Sequence, residues 1–152
     1  TEYDDSVRVQ SDGKFKKINL KTMPHPGFPT DMQPQMATLL CFGNGVSYVS
    51  EGVYEKRFRY VEELKKMGAS IKVNGRTAVI EGGVPLHGAE VEAVDLRAGV
   101  AMIIAGLVAE GTTEIGNIHL IERGYEDVVG KFASLGADIK KITVPDPIEA
   151  VK

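Results

Sequence analysis

The chain contains two related halves, and this internal repeat restricts the possible fold more than any other feature of the sequence. Three pairs of residues recur in the same order and at nearly constant spacing. The pairs are Asp31 with Asp95, Arg57 with Arg123, and Gly68 with Gly136. Chance similarity would not preserve this order. The sequence therefore predicts a duplicated unit, with copies over residues 15–82 and 89–143 of a single partial domain spanning 1–152.

Each copy is predicted to contain a strand, a helix that begins near the aspartate, a second strand and a second, amphipathic helix. The predicted strands cover residues 15–22 and 46–50 in the first copy, and residues 89–94 and 112–116 in the second. Gly68 and Gly136 are expected to end the second helices. The first copy continues into a hairpin with Asn74-Gly75 at its turn, and a strand over 137–144 closes the second.

One helical segment, LRAGVAMIIAGLVAE at residues 96–110, is apolar on nearly every side. A helix of this kind is enclosed by other structure. Strands such as IKVNG instead alternate apolar and polar residues, as expected when one face of the sheet is exposed to solvent. The pattern predicts an α/β (α+β) fold with helices inside and sheets outside. Two copies cover such a helix only partly, so we expect a further unit or self-association through the exposed helix faces.

Composition excludes several classes of function. The net charge of -3, with no run of Lys or Arg, argues against a nucleic-acid-binding face, and no segment is apolar for long enough to span a membrane. The single cysteine, Cys41, cannot form an internal disulfide, which is compatible with a cytoplasmic location. Its neighbours in MATLLCF predict an inert core thiol. The charged cluster Glu62–Lys66 is predicted to be a solvated helix face.

Four predicted helix starts carry charged residues: Asp31, Arg57, Asp95 and Arg123. The aspartates can be N-caps, and judged alone this interpretation is favoured over a catalytic one. Arginines near helix starts oppose the helix dipole, and Arg97 adds a third. Three arginines in matched positions indicate a shared anion site. Together with the two aspartates, this site is suited to a small anionic substrate and to proton transfer. The three histidines, His25, His87 and His119, lack metal-ligand spacing, so no metal site is predicted and all three are interpreted as structural or surface residues.

Four motifs resemble the C-terminal part of the UDP-N-acetylglucosamine 1-carboxyvinyltransferase family, within the EPSP synthase-like superfamily. The first two are PHPGFPTDMQPQ at residues 24–35 and EGVYEKRFRYVEELKKMGA at 51–69. The others are LHGAEVEAVDLRAG at 86–99 and AGLVAEGTTEIGNIHLIERGYEDVVGKFASLGADI at 105–139. The resemblance implies an inside-out α/β barrel of repeated βαβαββ units, about two of which are present here.

The resemblance also implies an activity without cofactor or metal. The family transfers enolpyruvyl from phosphoenolpyruvate to the 3′-hydroxyl of UDP-N-acetylglucosamine, releasing phosphate, in peptidoglycan precursor synthesis. Asp31 matches the residue that takes the hydroxyl proton, Val53 a backbone contact to the UDP-sugar, and Asp95 a second acidic group near the reacting carbon. Three arginines match residues that bind the phosphate and carboxylate of the enolpyruvyl group: Arg57, Arg97 and Arg123.

The family's mobile loop, with its reactive cysteine or aspartate, and its Lys-Asn pair have no counterpart here, and Cys41 does not match that cysteine. We therefore expect this chain to correspond to about the last third of the enzyme and to be inactive alone. A non-catalytic module that binds a nucleotide sugar or a protein partner remains the alternative. A longer reading frame in the source gene would favour the enzyme, and a start codon at this boundary would favour the module.

Overall fold

The computed structural model describes residues 1–144, which form six strands and five α-helices. The strands are β1 (Asn19–Lys21), β2 (Gly45–Ser50), β3 (Ser70–Asn74), β4 (Thr77–Gly82), β5 (Glu90–Glu92) and β6 (Glu114–Gly116). The helices are α1 (Gln33–Cys41), α2 (Val61–Lys66), α3 (Leu96–Val108), α4 (His119–Glu122) and α5 (Val128–Ser134). The mixed α/β class predicted from the sequence is confirmed. No helix within 1–144 has the length and apolar character needed to cross a membrane.

Both halves of the chain contain a helix that connects two parallel strands. In the first half α1 connects β1 to β2, which pair in parallel, and the sheet continues antiparallel in the order β1-β2-β4-β3. In the second half α3 connects β5 to β6, again in parallel. Parallel strands need a crossover of this kind, and it brings the loops that follow both strands to the same edge of the sheet.

Helix α3 is enclosed, as its composition predicted. All six residues from Ala98 to Ile103 are buried, so successive positions around the whole helix are covered, whereas Leu107 and Val108 at its end are exposed. A Cβ atom added to Gly99 would lie 2.4 Å from Cγ1 of Ile121. Helix α4 therefore packs directly against the α3 backbone, and this close approach requires glycine.

The helix ends and the hairpin largely follow the sequence. Gly68 and Gly136 follow the C-caps of α2 and α5 with φ of 95°, a left-handed conformation that glycine adopts readily. Strands β3 and β4 form the expected hairpin. Because Asn74 still pairs with Thr77, the loop itself is Gly75-Arg76, one residue later than predicted.

Two structural predictions made from the sequence are wrong. Residues 137–144 form no strand, because alternation alone cannot make one without a neighbouring strand edge, and Lys141 instead forms an ion pair with Glu122. Glu63 does not belong to a solvated helix face. Its buried Oε2 accepts hydrogen bonds from the Glu92 backbone N–H (2.9 Å) and from Lys66 Nζ (2.7 Å), which ties α2 to β5.

Candidate functional site

A cleft of about 370 Å³ lies where the loops after β1 and β2 meet the first turn of α3. Because β1 and β2 are parallel, these two loops leave the sheet at the same edge. The loop after β1 contributes Asp31, the loop after β2 contributes Val53 and Arg57, and α3 contributes Arg97. Four of the predicted site residues are thus brought together in one cleft.

Asp31 is held by both arginines. Arg57 Nη2 donates a hydrogen bond to Asp31 Oδ1 at 2.7 Å. Arg97 binds the carboxylate in a bidentate manner, with Nη2 donating to Oδ2 at 3.0 Å and Nε lying 2.5 Å from Oδ1. The fork of a guanidinium matches the geometry of carboxylate or phosphate, so the two arginines form an anion-binding pair whose present ligand is Asp31.

The electrostatic state of the cluster follows from these contacts. The hydrogen bond from Arg97, together with the charges of Arg97 and Arg57, lowers the pKa of Asp31 although its partial burial opposes the shift. The same contact raises the pKa of Arg97. The Asp31 side chain is 56% exposed, and those of Arg57 and Arg97 are 17% and 30% exposed. Asp31 is therefore ionised at neutral pH while its carboxylate stays open to the cleft.

The two aspartates in matched positions, Asp95 and Asp31, have different structural roles. Asp95 is an N-cap as predicted, because its Oδ1 accepts hydrogen bonds from the backbone N–H groups of Arg97 and Ala98, both at 2.9 Å. Asp31 is not an N-cap. It lies in a 3₁₀ turn, Thr30–Met32, and the N-cap of α1 is Met32 without a side-chain cap. The carboxylate of Asp31 is drawn away from the helix by the two arginines, which offer stronger, charge-assisted hydrogen bonds.

Arg57 does not start a helix either. Helix α2 begins four residues later, at Val61, and Arg57 lies in a series of turns with its guanidinium 5.0 Å from the centre of the Tyr54 ring. Lys56 has a φ of 56°, a left-handed conformation that reverses the chain immediately before Arg57. The turn thus directs Arg57 toward Asp31, and the cation–π contact supports its guanidinium from the other side.

Arg123 is the one predicted arginine that does not line the cleft. It is the exposed C-cap of α4, and α5 starts only at Val128, with the side chain of Asp127 as its cap. The prediction of a helix start at Arg123-Gly124 is therefore wrong, because this glycine ends one helix and does not precede the next. A Cβ at Gly124 would lie 2.9 Å from Cδ1 of Leu96, so this turn packs beside the start of α3.

Sequence reasoning missed three residues of the site. His25, interpreted as a structural or surface residue, lines the cleft, as does Tyr54. Glu51 is buried beneath the cleft and accepts hydrogen bonds from both of its loops. The available signal for Glu51 was its position directly after the strand predicted over 46–50 and before Gly52. Within residues 1–144, no three His, Cys, Asp or Glu side chains cluster as metal ligands would.

Cys41 is a core thiol, as predicted. It is buried in α1, its Sγ contacts the Ala37 carbonyl oxygen at 3.3 Å, and burial raises its pKa to about 12. A thiol that stays protonated at neutral pH is a poor nucleophile, so Cys41 has no part in the chemistry of the cleft.

Comparison with known proteins points to a single family. The family model described as EPSP synthase (3-phosphoshikimate 1-carboxyvinyltransferase) matches residues 1–132. UDP-N-acetylglucosamine 1-carboxyvinyltransferase 3 of Caldanaerobacter subterraneus subsp. tengcongensis is 55% identical over 141 residues, which are 93% of this chain and 34% of that protein. The UDP-N-acetylglucosamine 1-carboxyvinyltransferase of Clostridium botulinum is 58% identical over 138 residues, 91% of this chain and 33% of its own length.

Solved structures agree with these matches. The crystal structure of the enolpyruvyl transferase NikO from Streptomyces tendae superimposes with a TM-score of 0.79 at 34% identity, covering 86% of this chain and 30% of that one. An EPSP synthase from Acinetobacter baumannii, at 21% identity and a TM-score of 0.52, shares the fold alone. This chain therefore spans about a third of the length of the relatives that it matches.

Proposed function

This chain belongs to the EPSP synthase family, and on that basis we propose that it forms one wall of an enolpyruvyl transferase active site in a longer enzyme. The enzyme transfers the enolpyruvyl group of phosphoenolpyruvate to the 3′-hydroxyl of UDP-N-acetylglucosamine and releases phosphate. The choice of acceptor rests on the curated relatives that carry this enzyme's name at 50–58% identity. The observation that carries the proposal is the Asp31 carboxylate held between Arg57 and Arg97 in an open cleft.

These three side chains supply part of what the reaction needs. An attacking alcohol must lose its proton, and a carboxylate that faces the cleft is the natural acceptor. The enolpyruvyl carbon develops positive charge while it carries a carboxylate and a phosphate, and fixed guanidinium groups hold those anions. When the anionic substrate occupies the arginines, it replaces Asp31 as their ligand. Asp31 then loses the contacts that depress its pKa and becomes a better base.

The remaining predicted residues fit around this centre. The Val53 backbone N–H is already used, donating to Glu51 Oε1 at 2.8 Å, so its carbonyl oxygen is the group we assign to the UDP-sugar contact. Asp95 uses Oδ1 to cap α3, which leaves Oδ2 for the role near the reacting carbon. Arg123 is assigned to the substrate anion when the cleft closes, since its helix packs beside α3.

The wider setting belongs to the same proposal. We assign the chain to an inside-out barrel of βαβαββ units in which a further unit, or self-association, covers the exposed end of α3. The enzyme would act in peptidoglycan precursor synthesis in the cytoplasm. The activity requires the reactive loop and the Lys-Asn pair of the family, so the isolated chain is expected to be inactive.

The acceptor test addresses the function directly. Phosphate release is measured with the complete enzyme that contains this chain, using phosphoenolpyruvate with either UDP-N-acetylglucosamine or shikimate 3-phosphate. We expect release with the nucleotide sugar alone. Release with shikimate 3-phosphate would assign the chain to the other branch of the family, and release with neither acceptor would leave the binding module as the function.

A matched pair of arginine variants tests the anion site. Arg57→Met removes a guanidinium that binds Asp31, whereas Arg59→Met removes an exposed arginine two residues away that does not line the cleft. We expect Arg57→Met to raise the KM for phosphoenolpyruvate by roughly ten-fold or more, since a charge-assisted hydrogen bond contributes about 1.5–3 kcal/mol. Arg59→Met should leave this KM within about two-fold, as is usual for exposed positions. Equal effects would refute the assignment.

A further inference from the structure

Glu51 is a buried carboxylate beside the cleft. It follows β2 directly, is 3% exposed, and forms no ion pair with any residue of the described range 1–144. A buried charge is costly unless its oxygens are fully hydrogen-bonded. Burial on its own would raise the pKa of Glu51, but hydrogen bonds from Tyr54, Thr22, Val53 and Thr30 together lower it. Within the part of the chain that the structure describes, neutral donors therefore keep Glu51 as an anion.

The two oxygens of Glu51 hold two different loops. Oε1 accepts from the backbone N–H groups of Val53 (2.8 Å) and Tyr54 (3.0 Å) in the loop after β2, and from Thr22 Oγ1 (2.8 Å) at the end of β1. Oε2 accepts from Thr30 Oγ1 (3.0 Å). Thr30 precedes Asp31, so one carboxylate joins the loop that carries Asp31 to the loop that carries Arg57.

The backbone around Glu51 leaves little freedom. Gly52 N–H donates to Thr22 Oγ1 at 2.9 Å, and a Cβ atom added to Gly52 would lie 2.2 Å from the Thr22 carbonyl oxygen. The loop after β2 is thus pressed against the end of β1 where Glu51 makes its contacts. Beyond Glu51, the Tyr54 ring lies under the Arg57 guanidinium at 5.0 Å. Hydrogen bonds and packing therefore run without interruption from Glu51 to both Asp31 and Arg57.

We propose that Glu51 is the positioning residue of this cleft, which sets the separation of Asp31 from Arg57 without touching substrate. It acts through the Thr30 hydroxyl on one side and the backbone of Val53 and Tyr54 on the other. The chemistry that this geometry serves rests on the proposed function, but the geometry itself can be measured in the absence of turnover.

Three variants separate hydrogen bonding from charge and from general stability. Glu51→Gln keeps a carbonyl oxygen for the three donors on Oε1, and its amide can donate to the Thr30 hydroxyl, which then accepts. Glu51→Ala removes all four contacts. Glu63→Ala is the matched control, because Glu63 is also a buried, hydrogen-bonded carboxylate but lies on α2 outside the cleft. Thr30→Val, which removes only the bond to Oε2, replaces Glu51→Ala should that variant fail to fold.

The measurement is a carbon-detected NMR titration of the Asp31 carboxyl in this chain, followed by titration with inorganic phosphate. In Glu51→Ala we expect the Asp31 pKa to rise in part, because the Arg57 contact loosens while the Arg97 hydrogen bond, the largest cause of the lowered pKa, remains. Phosphate should bind about five-fold more weakly, the order of one lost hydrogen bond. Glu51→Gln should stay within about two-fold of the wild type, and Glu63→Ala should lose stability without moving the Asp31 titration.

The proposal is wrong if Glu51→Ala leaves both titrations unchanged, or if Glu63→Ala shifts them equally. In the complete enzyme, Glu51→Ala should lower kcat more than it raises the KM for phosphoenolpyruvate, with recovery in Glu51→Gln. If the wild-type enzyme shows no turnover, the proposed function fails, while the NMR titrations still decide the role of Glu51.

Discussion

The contrast between Asp95 and Asp31 gives a quantitative prediction about stability. Asp95→Ala removes the acceptor of two backbone hydrogen bonds, both 2.9 Å long, at the start of a helix that is buried along most of its length. Loss of an N-cap of this kind costs about 1–2 kcal/mol. Asp95→Asn should retain nearly the full stability, because asparagine caps helices as well as aspartate does.

Asp31→Ala should cost less, although Asp31 forms more ion pairs. Its carboxylate is 56% exposed and caps no helix, so solvent screening reduces the value of both arginine contacts to well under 1 kcal/mol each. Both arginines line the open cleft, so removing Asp31 lets solvent reach the guanidinium nitrogens that it binds. We therefore expect Asp95→Ala to be less stable than Asp31→Ala by about 1 kcal/mol.

The assay is urea unfolding of the four proteins at pH 7, followed by circular dichroism, with the free energy of unfolding obtained by linear extrapolation. A difference of about 1 kcal/mol between the two alanine variants is within its resolution. Equal losses, or a larger loss in Asp31→Ala, would refute the assignment of one aspartate to capping and the other to the cleft.

Three further predictions concern pH, reactivity and packing. The pKa of Asp31 is lowered in the folded state, so the ionised carboxylate stabilises the fold at pH values above its ordinary pKa of 3.8. This stabilisation is lost as the pH falls through the pKa of the folded state. The difference in free energy of unfolding between the wild type and Asp31→Asn should therefore shrink in acid titrations. Cys41, with a pKa of about 12, should react with a disulfide reagent at pH 8 only after urea unfolding, so immediate labelling would contradict its burial. Gly99→Ala should lower the free energy of unfolding by about 1–3 kcal/mol through a clash with Ile121, and a gain, as in an exposed helix, would contradict the packing.

The enclosed character of α3 was accessible from the sequence because it depends on pattern, whereas the repeat over 15–82 and 89–143 stays a prediction. Matched residues and an all-apolar segment reflect local spacing and burial, and the structure has two parallel βαβ arrangements and an enclosed α3. The last predicted strand, over 137–144, fails because strand formation depends on a neighbouring edge that the local sequence does not encode.

The site was predictable only in part for a related reason. An aspartate next to a helix is typically interpreted as an N-cap. The sequence does not show that Arg57 and Arg97 bind the carboxylate of Asp31 in place of the backbone N–H groups of the helix. The capping role of Asp95 was predictable since its partners are two and three residues away. Glu51 was missed because its partners come from two loops that meet only when β1 and β2 pair.

Asp31, between Arg57 and Arg97, is proposed to be the base of an enolpyruvyl transferase. The most direct test is the steady-state rate of phosphate release by the complete enzyme carrying Asp31→Asn, with UDP-N-acetylglucosamine and phosphoenolpyruvate both saturating. Loss of a general base predicts a kcat lower by about 10²-fold or more, with the KM for phosphoenolpyruvate not raised. A kcat within about three-fold of the wild type, less than 1 kcal/mol in activation free energy, would contradict the account.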